Sequence, residues 1–272
     1  MKTTKILKYG KKIAGETRKA DFLRAFGREV EVTRIISFGA CNFHCPYCKR
    51  DCQLVDGKGN PIRAEEVNFS DILAVVDDAI AKGQRVRLSG GDPVMFPKES
   101  LEIAKYTMEK YGQKISIAHN GSGMRFVKSL APYLDYAAID LKGHDGKELA
   151  MRAGIPEKVG DKMLKSTLAV QDYLASQDIL VDVRTPVFDT TTLDHLYAMA
   201  EQIVKGGVKN KFWTLRKYNP VRWIDWGTIP QETLLQYAEI ISKEFPELPI
   251  GLRLKWSGGS KEFIILKGGK RI

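Results

Sequence analysis

The chain has 272 residues, 43% of them hydrophobic and 28% charged, a formal net charge of +10 and four cysteines. This balance describes a globular chain able to bury a full core and argues against a disordered tract. No apolar run approaches the ~20 residues that a membrane span needs. From Met1 to Lys12, lysines alternate with single apolar residues and no signal-peptide core is present, so a cytoplasmic location without membrane association is expected.

In chain order, residues 1–31 read as a basic N-terminal extension carrying Lys2, Lys5, Lys8, Lys11, Lys12, Arg18, Lys19, Arg24 and Arg28. The first expected strand is Val32 to Ser37. Ser70 is a candidate cap for a helix through Lys82, with Ile72, Leu73, Val76 and Ile80 on one face and Gly83 as its stop. A strand at Arg85 to Leu88, a helix from Glu99 to Tyr111, a strand at Lys114 to Ala118, a short helix from Met124 to Leu130 and a strand at Tyr136 to Leu141 follow. The second half repeats the rhythm: helix Lys162 to Ala175, strand Ile179 to Val187, helix Leu193 to Lys205, strand Phe212 to Lys217, helix Gln231 to Glu244, then strands Ile250 to Leu254 and Phe263 to Leu266.

This alternation predicts an α/β fold with a mainly parallel sheet and helices outside. Six strand–helix units predict a partial (β/α)6 barrel rather than a closed eight-fold one. The whole chain is expected to be one domain, with a core barrel over 32–216 and C-terminal elements over 217–272. Ligands in such folds sit beyond the C-terminal ends of the strands, so each motif can be tested by its position.

All four cysteines fall between Cys41 and Cys52. A disulfide framework would spread them along the chain, whereas this crowding reads as a metal site. Cys41, Cys45 and Cys48 directly follow the first strand, and three thiolates at that spacing can wrap a cubane while leaving one iron open to a small molecule. The competing reading is a zinc site on all four cysteines, within a non-enzymatic module that binds nucleic acid. Zinc motifs usually separate two cysteine pairs by a dozen or more residues, which this segment does not. Cys52 is read as a partly exposed spare thiol.

Further motifs stand at successive strand ends: Ser89-Gly90-Gly91-Asp92-Pro93, His119-Asn120-Gly121, Asp140-Leu141-Lys142, and Arg184 within the next strand. Two glycines let backbone approach a ligand closely, and a carboxylate can accept hydrogen bonds from an ammonium. Alone, each motif is an ordinary turn or a solvated charge.

The C-x3-C-x2-C loop, with Tyr47 before its last cysteine, resembles the signature of the radical S-adenosylmethionine (SAM) superfamily. The later motifs resemble those of its glycyl-radical activating enzymes, the pyruvate formate-lyase activase group. The resemblance implies one [4Fe–4S] cluster on Cys41, Cys45 and Cys48, with SAM chelating the open iron and reductively cleaved to a 5′-deoxyadenosyl radical. It further implies SAM contacts from Tyr47, Ser89, Gly90, Gly91, Asp92, Asn120, Asp140, Lys142 and Arg184, with Asp92 in the position of the family's Glu and Lys142 and Arg184 countering the SAM carboxylate. The chain departs from the activases where Ala118-His119 replaces Asp-Thr and Lys217-Tyr218-Asn219-Pro220 stands in place of a late-strand His. The expected partners are a low-potential flavodoxin or ferredoxin and a substrate left open between a partner enzyme's glycine, a peptide, a small metabolite and an RNA base. No further cysteine follows Cys52 to hold an auxiliary cluster, and His144 and His195 are read as structural. Trp213, Trp223, Trp226 and Trp256 are read as core or rim.

Overall fold

A computed structural model of the chain describes residues 2–8, 13–18, 32–48, 63–218, 220, 224–254 and 263–272. Cys52, Asn219, Trp223 and Trp256 lie outside the described residues. One sheet organises the molecule. At one edge stand β1 (Thr3–Lys8), β2 (Ala14–Arg18), β3 (Val32–Phe38) and β4 (Arg63–Asn68), with β1 and β2 antiparallel to β3 and β4 antiparallel to β1. From β3 the sheet continues in parallel through β5 (Arg85–Gly90), β6 (Ile115–His119), β7 (Leu134–Asp140), β8 (Leu180–Val187), β9 (Lys211–Lys217) and β10 (Ile250–Arg253). Antiparallel β11 (Phe263–Lys267) and β12 (Lys270–Arg271) close the far edge.

The crossovers carry α1 (Phe69–Ala81), α2 (Pro97–Tyr111), α3 (Met124–Leu130), α4 (Gly146–Ala153) with α5 (Gly160–Ser176), α6 (Leu193–Lys205) and α7 (Gln231–Glu244). Six strand–helix units therefore run from β3 to β10, the α/β partial barrel that the alternation predicts. Among the described residues, no helix is long and apolar enough to cross a membrane.

Strand periodicity separates two faces. Ile36, Leu88, Ile117, Ile139, Val183, Leu215 and Leu252 pack against the helices in one continuous core. On the opposite, inner face Tyr136, Ala138, Leu180, Phe212 and Ile265 form a small apolar floor. The same inner parity carries Asp182, Arg184, Thr214 and Arg216 upward along β8 and β9.

Several expectations shift. Residues 1–31 hold two strands of the sheet rather than only a basic extension. Ser70 does not cap α1: β4 runs straight into the helix at Phe69, whose buried ring fixes the start, and Asn68 in the cap position makes no side-chain cap bond. Gly83, at φ +65°, ends α1 as expected. Helix α2 begins at Pro97, a residue suited to the first turn because its missing N–H is not needed there. Helix α4 was not foreseen, although its signals are present in the sequence. Asp145 caps it by accepting the Glu148 N–H, and Gly154 terminates it in the left-handed conformation.

Candidate active site

The cysteine loop leaves the C-terminal end of β3 and is clamped from two sides. On one side the Gly90-Gly91-Asp92 turn zips onto it: Gly91 N–H donates to Phe38 O and Asp92 N–H to Ala40 O, both at 2.7 Å. A Cβ at Gly91 would stand 2.0 Å from Ala40 O, and at Gly90, where φ is +110°, 2.2 Å from Phe38 N. Only glycine permits this approach. On the other side His44 N–H donates to Ala153 O at 2.9 Å, and a Cβ on Gly154 would meet His44 O at 2.1 Å.

Within the loop Cys41, Cys45 and Cys48 are half-buried and form no disulfide. Cys48 N–H donates to Cys45 O at 2.9 Å, while Phe43 N–H points at Cys41 Sγ at 3.4 Å and Asn120 Nδ2 lies 3.9 Å from the same sulfur. Burial pushes the Cys41 thiol up to about 12 and raises the Cys45 thiol as well, so bare thiolates are disfavoured here. A bound polycation reverses that balance and deprotonates coordinating thiols outright. Three thiols at the mouth of a barrel, with N–H donors facing a sulfur, fit an iron–sulfur cluster.

The SAM-side candidates converge on this loop. Asn120 Nδ2 donates to Asn42 Oδ1 at 2.7 Å, its Oδ1 accepts from Ser122 Oγ at 2.7 Å, and Asn42 Nδ2 donates to Ser122 Oγ at 2.9 Å. Lys142 Nζ donates to Asp140 Oδ2 at 2.7 Å and lies 5.9 Å over the Tyr47 ring. Burial opposes the charge on Lys142, but Asp140 and the groups around it hold its pKa well above the ordinary value. The Tyr47 hydroxyl is buried and finds no hydrogen-bond partner among the described residues. Tyr47 packs with Phe188, Tyr218 and Trp226, so Trp226 stands at the rim of the site while Trp213 is fully buried. Ser89 is buried beside Ser37 at the end of β5.

Two further candidates, Asp92 and Arg184, have internal partners. Asp92 is only 2% exposed, and its carboxylate is already engaged: Oδ1 by Val94 N–H at 2.9 Å and His119 Nδ1 at 2.7 Å, Oδ2 by Asn120 N–H at 2.8 Å. Arg184 Nε donates to Asp182 Oδ2 at 2.6 Å and its Nη2 to the Tyr136 hydroxyl at 3.1 Å, deeper on the inner face.

His119 stands in one of the strand-end motifs, which assign it no role of its own, and the structure gives it one. Its Nε2 faces Ser122 O at 2.6 Å, and a carbonyl can only accept, so both ring nitrogens face acceptors and both must donate. Burial opposes this charge, but Asp92 and the Ser122 carbonyl outweigh it and raise the pKa above the model-compound value of 6.5. With a raised folded pKa, the pair stabilises the fold fully below pH ~6.5 and loses that contribution as pH rises through the folded value. Thermal unfolding followed against pH is expected to show this decline in the wild type and a flatter profile in His119→Gln; identical profiles would remove the imidazolium.

Beneath the loop, Glu148 receives Arg152 at 2.5 Å and His144 Nδ1 at 2.6 Å, and the His144 and His195 rings stack with centroids 4.1 Å apart. Arg152 in turn donates to Lys142 O at 3.3 Å. These donors lie close enough together for a metal, yet Glu148 is occupied by a guanidinium, and the group braces the Lys142 strand end.

Residues 35–210 match the radical SAM superfamily. A Methanocaldococcus jannaschii protein described as a "putative glycyl-radical enzyme activating enzyme" is 30% identical over 159 residues, covering 57% of this chain and 61% of that protein. A GTP 3′,8-cyclase of Campylobacter jejuni is 26% identical over 182 residues, covering 65% of this chain and 53% of its own length. The chain thus spans less than two thirds of the length of either of these relatives. Streptococcus suis SuiB bound to S-adenosylmethionine superposes with a TM-score of 0.61 at 12% identity, over 80% of this chain and 49% of SuiB. A domain of a pyruvate-formate lyase-activating enzyme from Bacteroides vulgatus does so with 0.50 at 17% identity, over 64% of this chain and 99% of the domain. The family match over residues 35–210 overturns the reading as a non-enzymatic module. With three cysteines in the loop after the first barrel strand and a family match over 35–210, the chain is an enzyme that belongs to the radical SAM superfamily.

Proposed function

We propose that this enzyme holds one [4Fe–4S] cluster on Cys41, Cys45 and Cys48 and abstracts hydrogen from a substrate at the barrel mouth. When bound, the cluster supplies the electron that cleaves SAM to methionine and a 5′-deoxyadenosyl radical. The observation that carries the reading is the convergence of Asn120, Asp140 and Lys142, from two successive strand ends, on the cysteine loop.

This chain's own groups bind and orient. Lys142 offers a buried ammonium to the SAM carboxylate, Asp140 and Arg152 hold its strand end in place, and the Tyr47 hydroxyl is a polar group that a ligand can satisfy. The wall of Tyr47, Phe188, Tyr218 and Trp226 excludes water from one side. Reduction would come from an acidic low-potential flavodoxin or ferredoxin, drawn to a protein of net charge +10. The relatives named for glycyl-radical enzyme activation make a partner's backbone glycine one candidate substrate, and the GTP 3′,8-cyclases make an anionic small molecule another.

The test is SAM affinity of the reconstituted protein. Lys142→Ala is expected to bind SAM roughly tenfold to hundredfold more weakly, the worth of one charge-assisted hydrogen bond, with iron content retained. Partial recovery in Lys142→Arg is expected. Unchanged affinity in Lys142→Ala would remove this residue from the SAM site.

A further inference from the structure

Strand parity places an arginine beneath the site already described. Leu88, Ile117 and Ile139 pack against the helices, so Arg87 and Ser89 of β5, Ser116 and Ala118 of β6, and Tyr136, Ala138 and Asp140 of β7 face the barrel interior. Arg87 is only 7% exposed. Its Nε donates to Ser116 Oγ at 3.3 Å, and its guanidinium lies 4.9 Å over the Tyr136 ring. Its Nη2 is buried without a hydrogen-bond partner, and no carboxylate among the described residues forms an ion pair with it. Asp182, whose charge reaches Arg87, is itself held by Arg184 Nε at 2.6 Å and by the Tyr136 hydroxyl at 2.7 Å. Burial, with the Arg184 and Arg85 charges, presses the Arg87 pKa down to about 10, which leaves it a cation at neutral pH. Buried N–H donors of a cation cost free energy until an acceptor meets them.

The barrel is open above this arginine. Arg87 pairs with Ser116, so the next inward level holds Ser89, Ala118 and Ala138, all small. Ala118 is partly exposed although β6 lies within the sheet, and one level higher the Asp140 side chain is 33% exposed. Solvent therefore enters from the mouth down to Ala118. From Ser116 to Asn120 the strand rises about 13 Å, room for the reach of Arg87 and a ligand of a few carbons beneath the SAM-side residues. A guanidinium fork recognises a carboxylate or a phosphate. Asp140 and Asp182 already have Lys142 and Arg184, so one carboxylate neutralises Arg87, whereas a phosphate dianion would leave a buried negative charge uncompensated.

We infer that Arg87 is a specificity residue that binds a carboxylate of the substrate in the chamber beneath Asn120 and Asp140. The inference rests on the radical SAM reading for the direction in which the substrate points. Its carboxylate sits on Arg87, and the reacting carbon rises past Ala118 toward the cysteine loop. The substrate class is thereby narrowed to molecules or segments that carry a carboxylate.

The test uses the anaerobically reconstituted, unreduced protein saturated with SAM, titrated by NMR with propionate, propionamide and inorganic phosphate in turn at constant ionic strength. Wild-type protein is expected to bind propionate roughly tenfold or more tightly than either of the others. Arg87→Gln should weaken propionate by roughly tenfold to hundredfold and leave SAM affinity unchanged. Arg87→Lys, which keeps the charge and loses the fork, should fall between and serves if the Gln variant fails to fold. The site is overturned by absence of propionate binding, by propionamide or phosphate binding as tightly as propionate, or by unchanged propionate affinity in either variant that folds. A loss of SAM affinity in step with propionate would assign Arg87 to SAM and overturn it equally. Assay of 5′-deoxyadenosine on the same preparation separates the two claims: its absence counts against the radical SAM reading, whereas its presence without propionate binding counts against this site alone.

Discussion

Cys45→Ala is expected to lose cluster and SAM cleavage together. Wild-type protein should hold about four irons per chain after anaerobic reconstitution, the content of one cubane. Cys45 lies between the other two ligands in a loop fixed at both flanks, by Ala40 O to the Asp92 turn and by His44 N–H to Ala153. Among the described residues the other thiols are Cys41 and Cys48, which the proposed site already uses. Iron and sulfide analysis checks the first half and product analysis the second. A Cys45→Ala protein that keeps about four irons, or a wild type holding about eight, would contradict the single three-cysteine site.

Asp92→Ala is expected to be the most damaging change outside the cysteines. Its carboxylate ties the β5 turn to the β6 end through Val94 N–H, His119 Nδ1 and Asn120 N–H. Removal strands these donors in a buried place, and breaking a buried ion pair costs about 3–5 kcal/mol. The damage should reach SAM affinity as well, because Asn120 is held beside Cys41 by the same carboxylate. Denaturant unfolding and SAM titration check the two arms. Native stability in Asp92→Ala would show that the His119 pair contributes nothing, whereas a loss of SAM affinity alone would return Asp92 to a purely ligand-binding role.

The architecture was legible because its signals are local and periodic. Apolar runs such as Arg85–Leu88 and amphipathic stretches such as Leu193–Lys205 alternate cleanly, and the capping Asp145 and terminating Gly154 of α4 were readable as well. The start of α1 was not, since Ser70 has the right chemistry for a cap and the burial of Phe69, a tertiary contact, decides the boundary. Among the candidate site residues, the cysteines and the strand-end motifs stand out by spacing and order. His119 did not, because its role depends on Asp92 and Ser122 meeting it across two loops. The inner-face polar residues carry a periodic signal of their own. Asp182 and Arg184 alternate with valines, and Thr214 and Arg216 flank Leu215, a period-two pattern that places polar groups inside a barrel. Their mutual placement on adjacent strands needed the register.

Reductive cleavage of SAM at one cluster on Cys41, Cys45 and Cys48, as proposed above, leaves defined products. The most direct measurement is 5′-deoxyadenosine and methionine formed by the reconstituted wild-type protein, supplied anaerobically with SAM and a low-potential reductant. Both products are expected in equal amounts, from a brown protein containing iron and sulfide. A colourless protein that binds zinc alone, or an iron-loaded protein that leaves SAM intact under reduction, would contradict it.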